Sequence, residues 1–401
     1  MWNNADRFQT AFPVTLKGEG ETQKPPGQAE TGRLNHIIRL AAITREMEIQ
    51  FMRTNILKQF AAATVGGLMV LGLGASGAFA QAKTDLLVYT AIEADELAMF
   101  KKAFESDYPD VNIKWVRDST GIVTSKLMAE KNNPRADIVW GLAATSLMML
   151  GNEGYFQGYA PKGLKKLGKL YYDQVNNPPQ WIGQRAWIAS ICYNTVEAAK
   201  NNVPLPTSWA DLTKSAYKGH VIMPNPNSSG TGFLDVSSWI QLMGEDKAWR
   251  FMDALHNNIA RYTHSGSKPC KLAARGEITV GVSFAYRGAK SKNAGAPIEI
   301  IAPSEGVGWD LESFAIVKNT KNLKAARQLA DWSVTEKAMK IYNREYAVVA
   351  MPGIAKPVKN FPPGILSKMI QNDFAWAAKN RIRILNEWRK RYDAKSEPKK
   401  K

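Results

Sequence analysis

Two cysteines and four histidines in 401 residues leave this chain short of the side chains that most metal and nucleophilic chemistry requires. No Cys-x-x-Cys and no His-x-x-x-His spacing occurs, which excludes a zinc site of ordinary design. Past residue 80 there is neither a Gly-x-x-x-x-Gly-Lys-Ser/Thr loop nor a Gly-x-Gly-x-x-Gly turn, which removes the common nucleotide-binding corners. No apolar run reaches the roughly 18 to 20 residues of a membrane span. Of the histidines, His36 comes early, His220 opens a strand, His256 falls in a helix and only His264, beside Ser265, is placed to reach a cleft. A Ser-His neighbour pair is no evidence for a triad, whose members meet through folding. Neither an enzyme nor a bound metal or cofactor is expected.

What is present begins with an export signal. Residues 52–58 are cationic, residues 60–73 form a short apolar run, and residues 74–80 are small and end in Ala78-Phe79-Ala80, the three parts of a secretory signal. The run is too short to span a bilayer, and its glycines would weaken a core helix. Residues 1–51 show no apolar periodicity, so the expectation is an untranslated or disordered extension, translation from Met52, and cleavage near Ala80 into a periplasm. The cleavage site has no cysteine to carry a lipid.

The formal net charge is +17. Lysine and arginine are scattered apart from residues 381–401, and no nucleic-acid-binding motif accompanies them, so attraction to an anionic surface or an anionic solute is the reading that remains. The lysine-rich end is read as solvated charge. An exported chain permits a bridge between Cys192 and Cys270, but the sequence cannot bring them together, and two small buried thiols are the expectation.

After the signal, short apolar runs alternate with amphipathic stretches, the pattern of an α/β fold. Strands are expected at 85–90, 111–116 and 136–140, a helix over 93–108 with acids in its first turn, and another from Ser119 to about Lys131. Later units place strands at 219–223 and 278–284, each ending at a polar, glycine-rich corner. Two strands, 185–193 and 309–317, are read as crossing between lobes, giving lobe 1 as 81–187 with 312–401 and lobe 2 as 188–311. A C-terminal helix over 362–391 is expected to carry Leu366, Met369, Ile370 and Phe374 on one face.

Ligands of open parallel sheets sit beyond the carboxyl ends of the strands, where helix N-termini offer unpaired N–H groups. Three corners suit an oxyanion: Ser119-Thr120-Gly121, Ser228-Ser229-Gly230-Thr231 and Ser265-Gly266-Ser267. Each alone is an ordinary helix cap; three at equivalent positions point to an anion site.

The order of these motifs resembles the periplasmic solute-binding proteins of type II topology that serve ABC importers, in particular those for iron(III) and for 2-aminoethylphosphonate. The resemblance rests on 88–91, Asp118-Ser119-Thr120-Gly121, 136–141, the Pro-Asn-Pro-Asn-Ser-Ser-Gly-Thr-Gly run at 224–232, 281–286 and 348–353. It implies two lobes, each a mainly parallel sheet flanked by helices, closing by hinge motion around a solute and docking on a membrane permease driven by a separate ATPase. The adjacent tyrosines of the iron-binding relatives are missing at Phe284-Ala285-Tyr286, and Tyr171-Tyr172 lies elsewhere, so the phosphonate branch is the closer match. Ser119, Thr120, Gly121, Ser228, Ser229, Gly230 and Thr231, with Thr90 beside them, are then expected around the phosphonate. Asp310 and Glu312 are the candidates for an amine end, with Trp140 and Tyr286 as walls. A monomer is expected.

Overall fold

The computed structural model describes residues 82–398; the expected signal and cleavage site lie outside them. Ten described strands form one continuous sheet. The chain runs β1 (Thr84–Thr90), α1 (Leu97–Asp107), β2 (Val111–Arg117), α2 (Thr120–Ala129), β3 (Ile138–Ala143), α3 (Ala144–Asn152), β4 (Phe156–Gln157) and β5 (Ile182–Asn194). It continues α4 (Thr195–Asn201), β6 (Val221–Pro224), α5 (Gly230–Met243), α6 (Glu245–Asn258), β7 (Ile259–Thr263), α7 (Lys268–Ala274), β8 (Val280–Phe284), α8 (Ala285–Asn293) and β9 (Ile298–Ile301). It closes with β10 (Trp309–Val317), α9 (Leu323–Ser333), α10 (Glu336–Tyr342) and α11 (Phe374–Tyr392).

Every residue of β3, β5, β6, β8 and β10 is buried; β3, β6 and β8 accordingly read as mainly apolar runs, whereas β5 and β10 carry Gln184, Arg185, Asp310 and Glu312 among their buried residues. In the first half β1 pairs in parallel with β2 and β3, and β10 joins β3 to β5 in antiparallel fashion. In the second half β6 pairs in parallel with β7 and β8, and β5 pairs antiparallel with β8 and β9. β5 belongs to both. Its register with β10 ends at Ile188 opposite Trp309, and its register with β8 begins at Ala189 opposite Phe284. The chain returns to the first half between β9 and β10, where the Ala189 N–H donates to the Gly308 carbonyl at 2.9 Å.

Three local expectations are corrected. The acids expected in the first turn of α1 lie before it, and Glu93 and Glu96 are buried because arginines claim them. The helix expected over 362–391 begins only at Phe374, with Asp373 accepting from the Trp376 N–H at 2.8 Å. Gly364, at φ 71°, breaks the pattern, and Lys368 and Ile370 bond through their backbones to Val307 instead. The described part of the tail is not solvated charge: Ser396 pairs with Tyr262 on β7, and Glu397 bonds beside it, while residues 399–401 lie outside the described residues.

The expectation of two free thiols is also corrected. Cys192 on β5 and Cys270 on α7 form a disulfide, with their Cα atoms 5.3 Å apart. Gly281 on β8 makes this possible, since a Cβ there would sit 2.4 Å from the Pro269 carbonyl oxygen and hold α7 away from the sheet. The bridge closes a loop of 78 residues, a length at which removing a native disulfide costs about 2–5 kcal/mol. The double substitution Cys192→Ala, Cys270→Ala is expected to lower the unfolding free energy by about that amount in a denaturant titration; an unchanged midpoint would mean that the bridge does not form.

Candidate functional site

Strand ends and helix starts from both halves meet at one cavity. Counted with the solvent open to it, its free space is about 470 Å³. The first half contributes Ala91 and Glu93 after β1, Arg117 at the end of β2, Ser119 and Thr120 at the start of α2, and Gly141 and Ala143 on β3. The second contributes Ser229, Gly230 and Thr231 at the start of α5, Ser265 and Gly266 before α7, and Phe284 ending β8. Trp187, Glu312 and Tyr346 complete the wall. These are the carboxyl ends of the parallel strands, where the geometry of such sheets leaves a crevice.

The corners approach so closely that glycine is required between them. A Cβ on Gly121 would sit 2.1 Å from the Asn227 carbonyl oxygen, one on Gly230 2.5 Å from Thr120 Oγ1, and one on Gly266 2.4 Å from Thr231 Oγ1. The Gly121 N–H donates across the cleft to the Ser228 carbonyl at 2.9 Å. The two halves are therefore in direct backbone contact, and the hydroxyls of Ser119, Thr120, Ser229 and Thr231 are drawn to one place. Ser229 is the N-cap of α5, its Oγ accepting from the Gly232 N–H at 3.3 Å, so its own O–H remains a donor. Ser119 is the N-cap of α2 without a side-chain cap bond.

Charge crosses the cleft beside these corners. Glu93 Oε2 accepts from Arg287 Nη2 on α8 at 2.6 Å and lies 3.2 Å from Lys271 Nζ on α7. Asp95 meets Arg287 at 3.2 Å and Lys290 at 2.9 Å. Burial pushes the Glu93 carboxyl up, but Arg287, Lys271 and Arg117 outweigh it and hold the group below the usual carboxylate range. Arg117, anchored by its Nε to the Ile92 carbonyl at 3.0 Å, brings a guanidinium to the cavity 3.8 Å from Glu93.

A second ionic cluster stands behind the wall. The Arg185 guanidinium grips Glu96 with two bonds of 2.7 and 3.0 Å, bonds Glu312 through Nε, and lies 3.7 Å above the Tyr346 ring. Tyr346 donates its hydroxyl to Glu312 Oε1 at 3.1 Å. Burial lifts both carboxyls above their ordinary range against the pull of the shared guanidinium. Burial likewise raises the Tyr346 phenol far above its usual value, so it is a neutral donor.

Of the residues expected at the site, Ser119, Thr120, Ser229, Gly230, Thr231 and Glu312 line the cavity. The others lie elsewhere. Gly121 and Ser228 make the contact between the halves, and Ser228 Oγ donates to the His264 carbonyl at 3.0 Å. Thr90 Oγ1 accepts from the Ile92 N–H at 3.1 Å. Trp140 is core, donating to Ser333 Oγ at 2.7 Å. Tyr286 is buried and stacks on Tyr346 with centroids 4.6 Å apart. Asp310 is buried outside the wall, accepts from Thr145 Oγ1 at 2.6 Å, and is pushed up to about 6 by burial despite that bond.

Glu93, Arg117, Trp187, Phe284 and Tyr346 were not singled out from the sequence. Arg117 and Phe284 end strands of the parallel set, a position that marks them in retrospect. Tyr346 follows α10 in an irregular segment, and nothing in the local pattern points to it.

Two sheet halves sharing a long strand, with a polar cavity between facing helix N-termini, make the arrangement of a solute-binding protein. The chain belongs to the bacterial extracellular solute-binding protein family, whose sequence pattern matches residues 133–377. It is 30% identical over 328 residues to an uncharacterized protein of Haemophilus influenzae, covering 80% of this chain and 94% of that one. It is 26% identical over 249 residues, 59% of this chain and 66% of the other, to a probable ABC transporter periplasmic-binding protein of Sinorhizobium fredii. The solved structure of the periplasmic binding protein AfuA from Actinobacillus pleuropneumoniae, with fructose 6-phosphate bound, matches with a TM-score of 0.72 and 29% identity, covering 78% of this chain and 99% of that one. The family, the Sinorhizobium protein and AfuA are solute-binding transport proteins rather than enzymes.

Gly121→Ala is expected to weaken the binding of inorganic phosphate about tenfold or more, roughly 1.4 kcal/mol, while leaving the melting temperature of the solute-free protein nearly unchanged, because the collision arises only across the cleft. Titration calorimetry and thermal melting measure the two; an unchanged affinity would show that the halves do not meet there when solute is bound.

Proposed function

We propose that this protein captures a small organic phosphate or phosphonate in the periplasm and delivers it, as a monomer, to a membrane permease. The observation that carries the proposal is the convergence of three hydroxyl-bearing helix corners and the Arg117 guanidinium on one cavity. Helix N-terminal N–H groups, hydroxyl donors and a guanidinium are what a tetrahedral oxyanion asks for. Lobe 1, residues 81–187 with 312–401, and lobe 2, residues 188–311, close on the solute by hinge motion.

The far end of the solute is best read as hydroxylated. An aminoalkyl solute such as 2-aminoethylphosphonate needs a carboxylate for its ammonium. Glu312 is already bonded to Arg185 and Tyr346, Asp310 is outside the wall, and Glu93 already faces three cations. Committed carboxylates of this kind still accept hydrogen bonds from sugar hydroxyls. The fructose 6-phosphate held by the related AfuA supports the same choice. 2-Aminoethylphosphonate shares the head group and stands as the alternative solute. Iron(III) fits less well, because Tyr346 is the one phenol on the wall and burial keeps it protonated.

Calorimetry with fructose 6-phosphate, 2-aminoethylphosphonate, inorganic phosphate, sulfate, putrescine and ferric citrate tests the reading. Fructose 6-phosphate is expected to bind with a Kd of about 1 μM or tighter, near −8 kcal/mol, and more tightly than 2-aminoethylphosphonate. Tight binding of ferric citrate or putrescine alone, the former with visible colour, would overturn it.

A further inference from the structure

The third corner, Ser265 and Gly266, is held from outside by the end of the chain. Past α11 the chain turns through Asp393–Lys395 and lies along the outer edge of β7, the last strand of the sheet order. Glu397 N donates to the Tyr262 carbonyl at 2.8 Å, and Lys395 Nζ donates to the carbonyls of His256 and Ile259 at 2.6 and 2.8 Å. The Glu397 side chain is only 12% exposed. Its Oε1 accepts the His264 backbone N–H at 2.6 Å, and its Oε2 pairs with Lys268 Nζ. One carboxylate thus grips both ends of the segment that carries Ser265 and Gly266 to the cavity.

The same tail touches the second corner. Asn225 Nδ2 donates to Ser396 Oγ at 2.8 Å and to Asp393 Oδ1 at 3.2 Å, while the Asn225 carbonyl accepts the Ser229 N–H at 2.8 Å. Ser228 Oγ donates to the His264 carbonyl, and Gly266 packs against Ser229 and Thr231. Within the second half, Thr263 Oγ1 donates to the Ser265 carbonyl and Ser283 Oγ to the Gly266 carbonyl. The sheet side therefore holds the carbonyls of this segment, whereas the tail takes the His264 N–H.

The geometry points to Glu397 as a positioning residue: through the His264 N–H and Lys268 it sets Ser265 and Gly266 against Thr231 and so fixes solute affinity. This rests on the reading that the cavity holds the solute's anionic group. An edge cap, by contrast, would add stability to β7 without touching affinity. Burial raises the Glu397 carboxyl, but the His264 amide and Lys268 hold it below its ordinary range, so the group is ionised at neutral pH.

The full chain, Glu397→Ala, Glu397→Gln and a chain ending at Lys395 separate these roles. Glu397→Ala and the shortened chain are expected to bind fructose 6-phosphate about tenfold more weakly, with faster release. Glu397→Gln keeps an oxygen for the His264 N–H and is expected to stay within about threefold of the parent. In the solute-free protein, hydrogen exchange at His264 is expected to be at least tenfold faster in Glu397→Ala. Affinity of Glu397→Ala within twofold of the parent overturns the inference, even if its melting temperature falls. Should the parent bind no fructose 6-phosphate, the functional reading fails instead, and the exchange rate still decides: faster exchange supports the hold on the corner, and unchanged exchange overturns it.

Discussion

Everything about this site depends on how closely two loops can approach. The Gly121 amide donates to the Ser228 carbonyl across the cleft, and no side chain at 121 or 230 leaves room for that contact. Backbone groups and short hydroxyl side chains are the donors that fit where the two loops touch, which is why serine, threonine and glycine crowd the corners. Longer polar residues would prop the halves apart, and apolar ones would leave buried N–H groups unpaired. Around that contact the cavity keeps its backbone and hydroxyl donors, and Arg117 reaches it from the end of β2.

Ion pairs then set the register in which the halves meet. Glu93 and Asp95 belong to the first half, and their partners Arg287, Lys290 and Lys271 to the second. Arg287 is buried with these pairs made. Pairs of this kind gain little net energy but fix register, and here they align the corners. Arg185 does the same within the first half: held by Glu96 and Glu312, it ties the segment before α1 to β5 and β10. The Cys192–Cys270 bridge anchors α7 to β5, so the helix that supplies Lys271 is fixed to the strand both halves share.

The α/β class and the strand-end corners were legible in the sequence because each depends on local pattern. Buried strands read as apolar runs, and Ser-Thr-Gly clusters mark helix starts wherever they fold. What escaped was set by long-range packing. Trp140 and Tyr286 sit beside strand ends and look like walls, yet the sheet turns both into core. Asp310 and Glu312, two apart on β10, share a face of the strand, yet only Glu312 is on the wall, and Asp310 accepts from Thr145 instead. Glu93 read as an acid of a helix's first turn, whereas Arg287, some 190 residues later, claims it. The charged tail read as solvent-facing because nothing in its composition announces that Ser396 and Glu397 lie against β7.

The central claim is that the solute is held where the two halves meet, so binding and closure are one event. Small-angle X-ray scattering of the protein with and without saturating fructose 6-phosphate tests it most directly. The account predicts a more extended solute-free form and, on addition, a shift to a curve that matches the joined halves described above. A scattering curve that does not change at saturating solute would contradict it.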